Sequence, residues 1–185
     1  PPNPIIIVGA KGAGKTTFIN YLFSNKFELE ASHPHVYIDF RKYSGTKNNF
    51  ENYIYDDILE QVYNQYENLD LCSHKSLCSI YHREIRRNNQ GIWKYDLENN
   101  INNHQSRLSL FLEDRLKDSE SHFFKLSEHL IKGRHIRLCV VIDNADQFDS
   151  ETQKTVFLFA QSLNKKGNIS IIIALREGYY YKWRQ

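Results

Sequence analysis

Residues 9 to 17 read Gly9-Ala10-Lys11-Gly12-Ala13-Gly14-Lys15-Thr16-Thr17. They complete the pattern G-x-x-x-x-G-K-[ST], with Gly9, Gly14, Lys15 and Thr16 in its fixed positions. The apolar run Ile5-Ile6-Ile7-Val8 precedes the loop, and a helix-like segment, Thr16 to Ser24, follows it. Strand, glycine loop and helix form the context in which this pattern cradles phosphate. Glycines let the backbone turn its N–H groups inward, and the helix N-terminus adds a partial positive charge. Residues 9 to 17 are therefore expected to bind a nucleotide. Lys15 should reach the β- and γ-phosphates, and the Thr16 hydroxyl should ligate Mg²⁺.

Outward from the loop, strand signals fall at Ile5–Gly9, Val36–Phe40, Leu138–Asp143 and Ser170–Leu175. All but the second are continuous Ile/Val-rich runs, as in strands buried on both faces of a parallel sheet. Helical spacing links Phe50, Tyr53, Ile54, Ile58, Val62, Tyr66 and Leu69. It also links Leu108, Phe111, Leu112, Leu116, Phe123, Leu126 and Leu130, as one helix or as two broken near Asp118–Ser121. Ser150-x-x-Gln153 reads as a capping box opening a helix that should stop at Gly167. The alternation predicts an α/β fold, a parallel sheet with helices on both faces. The chain, residues 1–185, reads as one nucleotide-binding core. Within it, 68–103 reads as a helical, polar insertion between the second and third strands.

Leu138-Cys139-Val140-Val141-Ile142-Asp143 is an apolar strand ending in an acid. In a phosphate-loop protein such a carboxylate holds Mg²⁺ opposite the loop hydroxyl, and Asp143 is the candidate. Hydrolysis also needs a group that orients or deprotonates water. Many hydrolysing sites carry Glu directly after the metal Asp. Here Asn144 stands there, and an amide is no base. Asp146, three residues past Asp143, is the candidate instead, the alternative being a loop cap. Arg176, after the last strand, is a candidate to stabilise γ-phosphate charge, or else a surface partner of Glu177.

Composition narrows the class further. The chain is 41% hydrophobic with a formal charge of +2, ordinary for a globular protein and too weakly basic to argue for nucleic acid. No apolar run approaches the roughly 20 residues that span a membrane, and no signal peptide is visible. Cys72, Cys78 and Cys139 do not suggest a disulfide framework, so a cytoplasmic setting is expected. There is no Met, and the first strand begins almost at residue 1. The chain therefore reads as an excerpt of a longer polypeptide.

Together, Gly9–Thr17, Val140-Val141-Ile142-Asp143-Asn144-Ala145-Asp146 and Ile171-Ile172-Ile173-Ala174-Leu175-Arg176-Glu177 resemble the additional-strand P-loop ATPases. The strongest likeness is to STAND NTPases, with the KAP and AAA+ (origin-recognition-like) groups as near relatives. The resemblance implies a strand order 5-1-4-3-2, with the fifth strand and the helical lid outside this sequence. It gives Arg176 the role of a sensor arginine. It also implies a switch that binds ATP (or ADP) with Mg²⁺, hydrolyses ATP, and works as a homo-oligomer or against flanking domains in signalling or defence. Asn144 departs from the AAA+ pattern, where an acid commonly follows the metal Asp. An arginine finger should lie beyond the chain, with Arg184 as a possible exception.

Other features carry rival readings. Cys72, His74, Cys78 and His82 have ligand types that could bind zinc, though not at a standard spacing. Arg83, Arg86 and Arg87 could meet nucleic-acid phosphates or form a solvated helix face. Tyr179-Tyr180-Tyr181-Lys182-Trp183 could stack on bases or pack against another part of the protein. Two alternatives to a hydrolytic switch stand beside it: a structural nucleotide module, suggested by Asn144, and a small-molecule kinase using Arg83–Arg87 as its lid.

Overall fold

The computed structural model describes residues 3–25, 35–43 and 50–176. The described strands are β1 (Ile5–Val8), β2 (His35–Asp39), β3 (Cys139–Asp143) and β4 (Ser170–Leu175). The helices are α1 (Lys15–Asn25), α2 (Phe50–Gln65), α3 (His74–Ile80), α4 (His82–Gln90), α5 (Lys94–Asn99), α6 (Ile101–Leu116), α7 (Ser119–Arg134) and α8 (Ser150–Gly167). The strands pair in parallel in the order β1-β4-β3-β2. This is the four-strand part of the expected 5-1-4-3-2 order, and the α/β fold is as the sequence predicts.

Strand alternation divides the side chains between two helical layers. Val36, Ile38, Val140, Ile142, Ile171 and Ile173 enter one large core with residues of α2, α7 and α8. Val141, Ile172 and Ala174 face the other way, onto Ile19 of α1. Because β3 is covered on both faces, all five of its residues are buried. In α2, Ile54, Ile58 and Val62 recur every four residues and are fully buried, the stripe that seats it on the sheet.

Beyond β3, β2 has no strand partner among the described residues, and side chains of α2 serve its outer edge instead. The Gln61 amide accepts from Tyr37 N–H at 2.9 Å and donates to Tyr37 C=O at 3.0 Å. Gln65 donates to His35 C=O at 2.8 Å. Three of the edge groups that would template another strand are thus occupied.

Of the two ends of α8, the stop at Gly167 is as expected and the start differs. The N-cap of α8 is Asp149, whose carboxylate accepts from Thr152 N–H at 2.8 Å. Ser150 is already helical, and Gln153 donates to Phe148 C=O at 2.7 Å, so no capping box forms. The ionised Asp149 acceptor answers the orphan N–H groups and the helix dipole together. At the other end the left-handed residue is Asn168 (φ 51°), one past Gly167. Gly167 answers a close approach instead: a Cβ there would lie 2.3 Å from Ile169 Cδ1. The break in the long apolar series falls where expected, with Asp118 capping α7 through Ser121 N–H at 3.0 Å.

The helical stretch between β2 and β3 joins the core through Leu77, Ile80 and Tyr81. Trp93 packs edge-on to Phe111 of α6. At the centre of this layer His122, 1% exposed, lies between two phenols. Tyr63 OH is 2.6 Å from its Nε2 and Tyr81 OH is 2.8 Å from its Nδ1. A neutral ring satisfies both, accepting at one nitrogen and donating at the other. Burial drives the His122 pKa down to about 4. Among the described residues no helix is long and apolar enough to cross a membrane.

The depressed pKa makes stability pH-dependent. The unfolded chain binds a proton near pH 6.5, and the folded chain resists it until about pH 4. The contribution is complete above pH 6.5 and is lost as pH falls. Between pH 7 and pH 5 it should remove about 2 kcal/mol. Urea titrations across that window, with the His122 ring followed by NMR, check this. A His122 that titrates in the folded protein near its ordinary value would contradict it.

Candidate functional site

The glycine loop leaves β1 and closes onto the first turn of α1. Gly12 (φ 78°) and Gly14 (φ 76°) are left-handed, the region where a Cβ is strained. Ala13 N–H donates to Ala10 C=O at 3.2 Å, and Phe18 N–H donates to Gly14 C=O at 2.7 Å. Lys15 folds back over the loop, its Nζ donating to Gly9 C=O at 2.9 Å and Ala10 C=O at 3.1 Å. The ammonium is thus held above the turn by neutral carbonyls that a phosphate could outcompete.

A cavity of about 350 Å³ opens beside the loop. Its lining brings together Lys11 through Thr17, Asp143, Asp146 and Arg176, with Asn144 and Arg41. The sequence candidates from opposite ends of the chain therefore share one space. Gly9 and Ala10 sit at the base of the loop.

Asp143, at the C-terminal end of β3, is 4% exposed and well supplied with donors. Its Oδ2 accepts from the Thr16 hydroxyl at 2.7 Å and also from the Tyr37 phenol. Its Oδ1 accepts from Asn144 N–H at 2.8 Å. Burial, then the bond to Asp143, pushes the Tyr37 phenol far up, so it remains a donor. Hydroxyl and carboxylate at this separation make a hard-oxygen pair of the kind that takes Mg²⁺. The left-handed loop offers N–H groups to an anion next to it. The residues present fit a Mg²⁺–nucleotide.

Asp146 follows in a 3₁₀ turn (Ala145–Gln147) and is buried. Arg176 Nε lies 2.7 Å from its Oδ2, off the line a hydrogen bond needs, so that oxygen has a counter-charge but no aligned donor. The two residues singled out in the sequence as acid and sensor thus meet each other. The alternative partner of Arg176, Glu177, lies outside the described residues, as do Tyr179–Trp183 and Arg184.

Three site residues escaped the sequence reading, all from the second strand and its exit. They are Tyr37, Asp39 and Arg41. Asp39 pairs in register with Asp143. Its Oδ2 receives Arg41 Nη2 at 2.6 Å and its Oδ1 receives Asn144 Nδ2 at 2.8 Å. The Arg41 bonds, above all, hold its carboxyl below the ordinary range, with Asn144 contributing. A signal was available: Val36-Tyr37-Ile38-Asp39 also ends an apolar run on an acid.

The zinc reading is not supported. Cys78 Sγ lies 3.7 Å from His74 Nδ1, but His82 turns back so that its Nδ1 meets Ser79 C=O at 3.0 Å, and Cys72 is exposed. The Tyr81 junction between α3 and α4 separates the potential ligands. Among the described residues no three His, Cys, Asp or Glu side chains gather to hold a metal. Arg83 sits on an exposed face, 3.7 Å from Glu128.

Fold and cavity define a P-loop nucleotide-binding domain. Residues 1–177 match the profile of the KAP family P-loop domain, and the chain belongs to that family. Of the groups its motifs resemble, the match thus falls on KAP. No curated protein and no solved structure matches the chain.

The loop geometry predicts an uneven cost for added methyl groups. At Gly14 a Cβ meets nothing within 4 Å, so Gly14→Ala should cost only the conformational term, roughly 1–2 kcal/mol. Gly9 is not left-handed, and its Cβ would make ordinary contacts from 3.4 Å, so Gly9→Ala should cost less. Urea unfolding of the two variants compares them, and equal losses would contradict the argument.

Proposed function

We propose that the chain is an ATP-binding, Mg²⁺-dependent switch domain that hydrolyses ATP slowly and acts within a larger cytoplasmic signalling or defence protein. It would work against flanking domains or other copies of itself. The observation that carries this reading is the 2.7 Å contact of Thr16 with Asp143 in a cavity that also contains Lys15, Asp146 and Arg176. The membership in the KAP family supports nucleotide binding.

In this reading the loop N–H groups of residues 9–17 and Lys15 hold the phosphates. Thr16 and Asp143 would hold Mg²⁺, which would supply positive charge against the phosphates when bound. The γ-phosphate competes with Asp146 for Arg176. Withdrawal of the guanidinium frees the Asp146 carboxylate to orient water, while Arg176 balances developing negative charge. Nucleotide binding and assembly of the hydrolytic pair are then one event.

A structural nucleotide module is the second reading, favoured by the closed Asp146–Arg176 pair and by the amide at Asn144. The kinase reading gains no support, because Arg83 lines a different cavity, with Glu128 and His129.

ATP binding and turnover of three proteins test the proposal. Lys15→Ala removes charge-assisted bonds and should weaken ATP binding at least tenfold, taking about 1.5–3 kcal/mol per bond. Asp146→Asn should retain binding and lose turnover. Unchanged ATP affinity in Lys15→Ala would overturn the site. Binding without turnover in wild type would select the structural module.

A further inference from the structure

Arg41 is a cation of the nucleotide cavity that lies outside the glycine loop and to which the hydrolytic reading gives no task. It lines the nucleotide cavity beside Asp143, Asn144 and Arg176, yet comes from the exit of β2, the strand farthest from the glycine loop. We propose that Arg41 is a terminal-phosphate-reading residue, which gives this site its preference for a nucleoside triphosphate over a diphosphate. The inference rests on the nucleotide-site reading above.

Three observations carry it. The first is placement. Along the edge of the sheet the cavity's cations come from the loop after β1 (Lys11 and Lys15), the exit of β4 (Arg176) and the exit of β2 (Arg41). Three strand spacings separate the first from the last, roughly 14 Å. With the phosphates seated on the loop and Lys15 reaching the β- and γ-phosphates, the outer end of the phosphate chain is the part directed past Asp143 towards Arg41.

The second is preorganisation. Asp39 receives Arg41 Nε at 3.0 Å from both carboxylate oxygens and Nη2 at 2.6 Å, and it also accepts from Arg41 N–H at 3.1 Å. A guanidinium gripped along one edge has lost most of its rotational freedom before a ligand arrives, so less entropy opposes further bonds. Its side chain is still 60% exposed.

The third is the link to the metal side. Asn144 donates its backbone N–H to Asp143 and its side-chain amide to Asp39. It adopts a left-handed conformation (φ 62°) to do both. One residue therefore couples the carboxylate proposed for Mg²⁺ to the carboxylate that holds Arg41. This gives the amide at 144 a purpose that an acid could not serve, since a second carboxylate 2.8 Å from Asp39 would repel it.

The test measures ATP and ADP affinities, with excess Mg²⁺, for the full chain, for Arg41→Ala and for Arg41→Lys. Arg41→Ala should weaken ATP binding roughly tenfold or more while ADP binding changes less than about twofold. Arg41→Lys should recover part of the loss, since it restores charge but not the fork. Equal weakening of ATP and ADP, or no change in either, overturns the inference while leaving the nucleotide site intact. Failure of the wild-type chain to bind either nucleotide overturns the site reading and this inference together. Retained ADP affinity in Arg41→Ala reports that the variant is folded.

Discussion

Parallel pairing is the constraint on which the site depends. When every strand runs the same way, all C-terminal ends meet at one edge of the sheet, and whatever follows each strand is delivered there. In the order β1-β4-β3-β2 that edge receives the glycine loop, then Arg176, then Asp143 with Asn144 and Asp146, then Arg41. The register makes the delivery specific. Asp39 stands level with Asp143, so the two acids share the same neighbour, Asn144. A slip of one residue along either strand would turn one carboxylate to the opposite face.

Such a sheet must be buried on both sides, and the chain achieves this with unequal layers. One face carries α2, α7 and α8 and most of the apolar core. The other relies on α1, whose Ile19 packs on Val141 and Ile172. Position and function coincide in α1: the helix that covers the sheet also begins with Lys15 and Thr16. On the thicker side, α2 both fills the core and closes the outer edge of β2 through Gln61 and Gln65. The strand that supplies Asp39 and leads to Arg41 is thereby held against β3, with no further strand beside it among the described residues.

What could be read from the residues follows the range over which each signal acts. The β3 and β4 strands, the loop and the acid after β3 are local signals: apolar runs, a fixed spacing, a terminal carboxylate. They needed no knowledge of the rest of the chain. The break before α7 was legible too, because Asp118 is a good cap in its own right. The α8 start was misread by one residue because Asp149 and Ser150 are both competent caps, and the ionised Asp149 answers the helix dipole as well as the orphan N–H groups. The stop of α8 at Gly167 was legible, but the close approach of Ile169 to that glycine is a packing contact with no local signature. Tyr37, Asp39 and Arg41 were missed for a deeper reason. Their importance comes from strand order, which places β2 beside β3 although the intervening chain is almost a hundred residues long. The zinc quartet failed in the opposite direction: suitable residue types at close spacing, divided by a helix junction.

Charge balance at the sheet edge explains why the amide at 144 belongs with the rest. Three buried carboxylates, Asp39, Asp143 and Asp146, stand within this region. Each is stabilised differently: Asp39 by Arg41, Asp143 by neutral hydroxyl and N–H donors, and Asp146 by Arg176. Among the described residues no cation pairs with Asp143, which is the condition for a carboxylate that is to receive one from solution. An acid at 144 would add a fourth negative charge against Asp39 and draw Arg41 away from the cavity. The amide instead donates to Asp39 and leaves the charges around the phosphate path unaltered. Residue 144 is thus better understood as a connector between two carboxylates than as a hydrolytic position that has lost its acid.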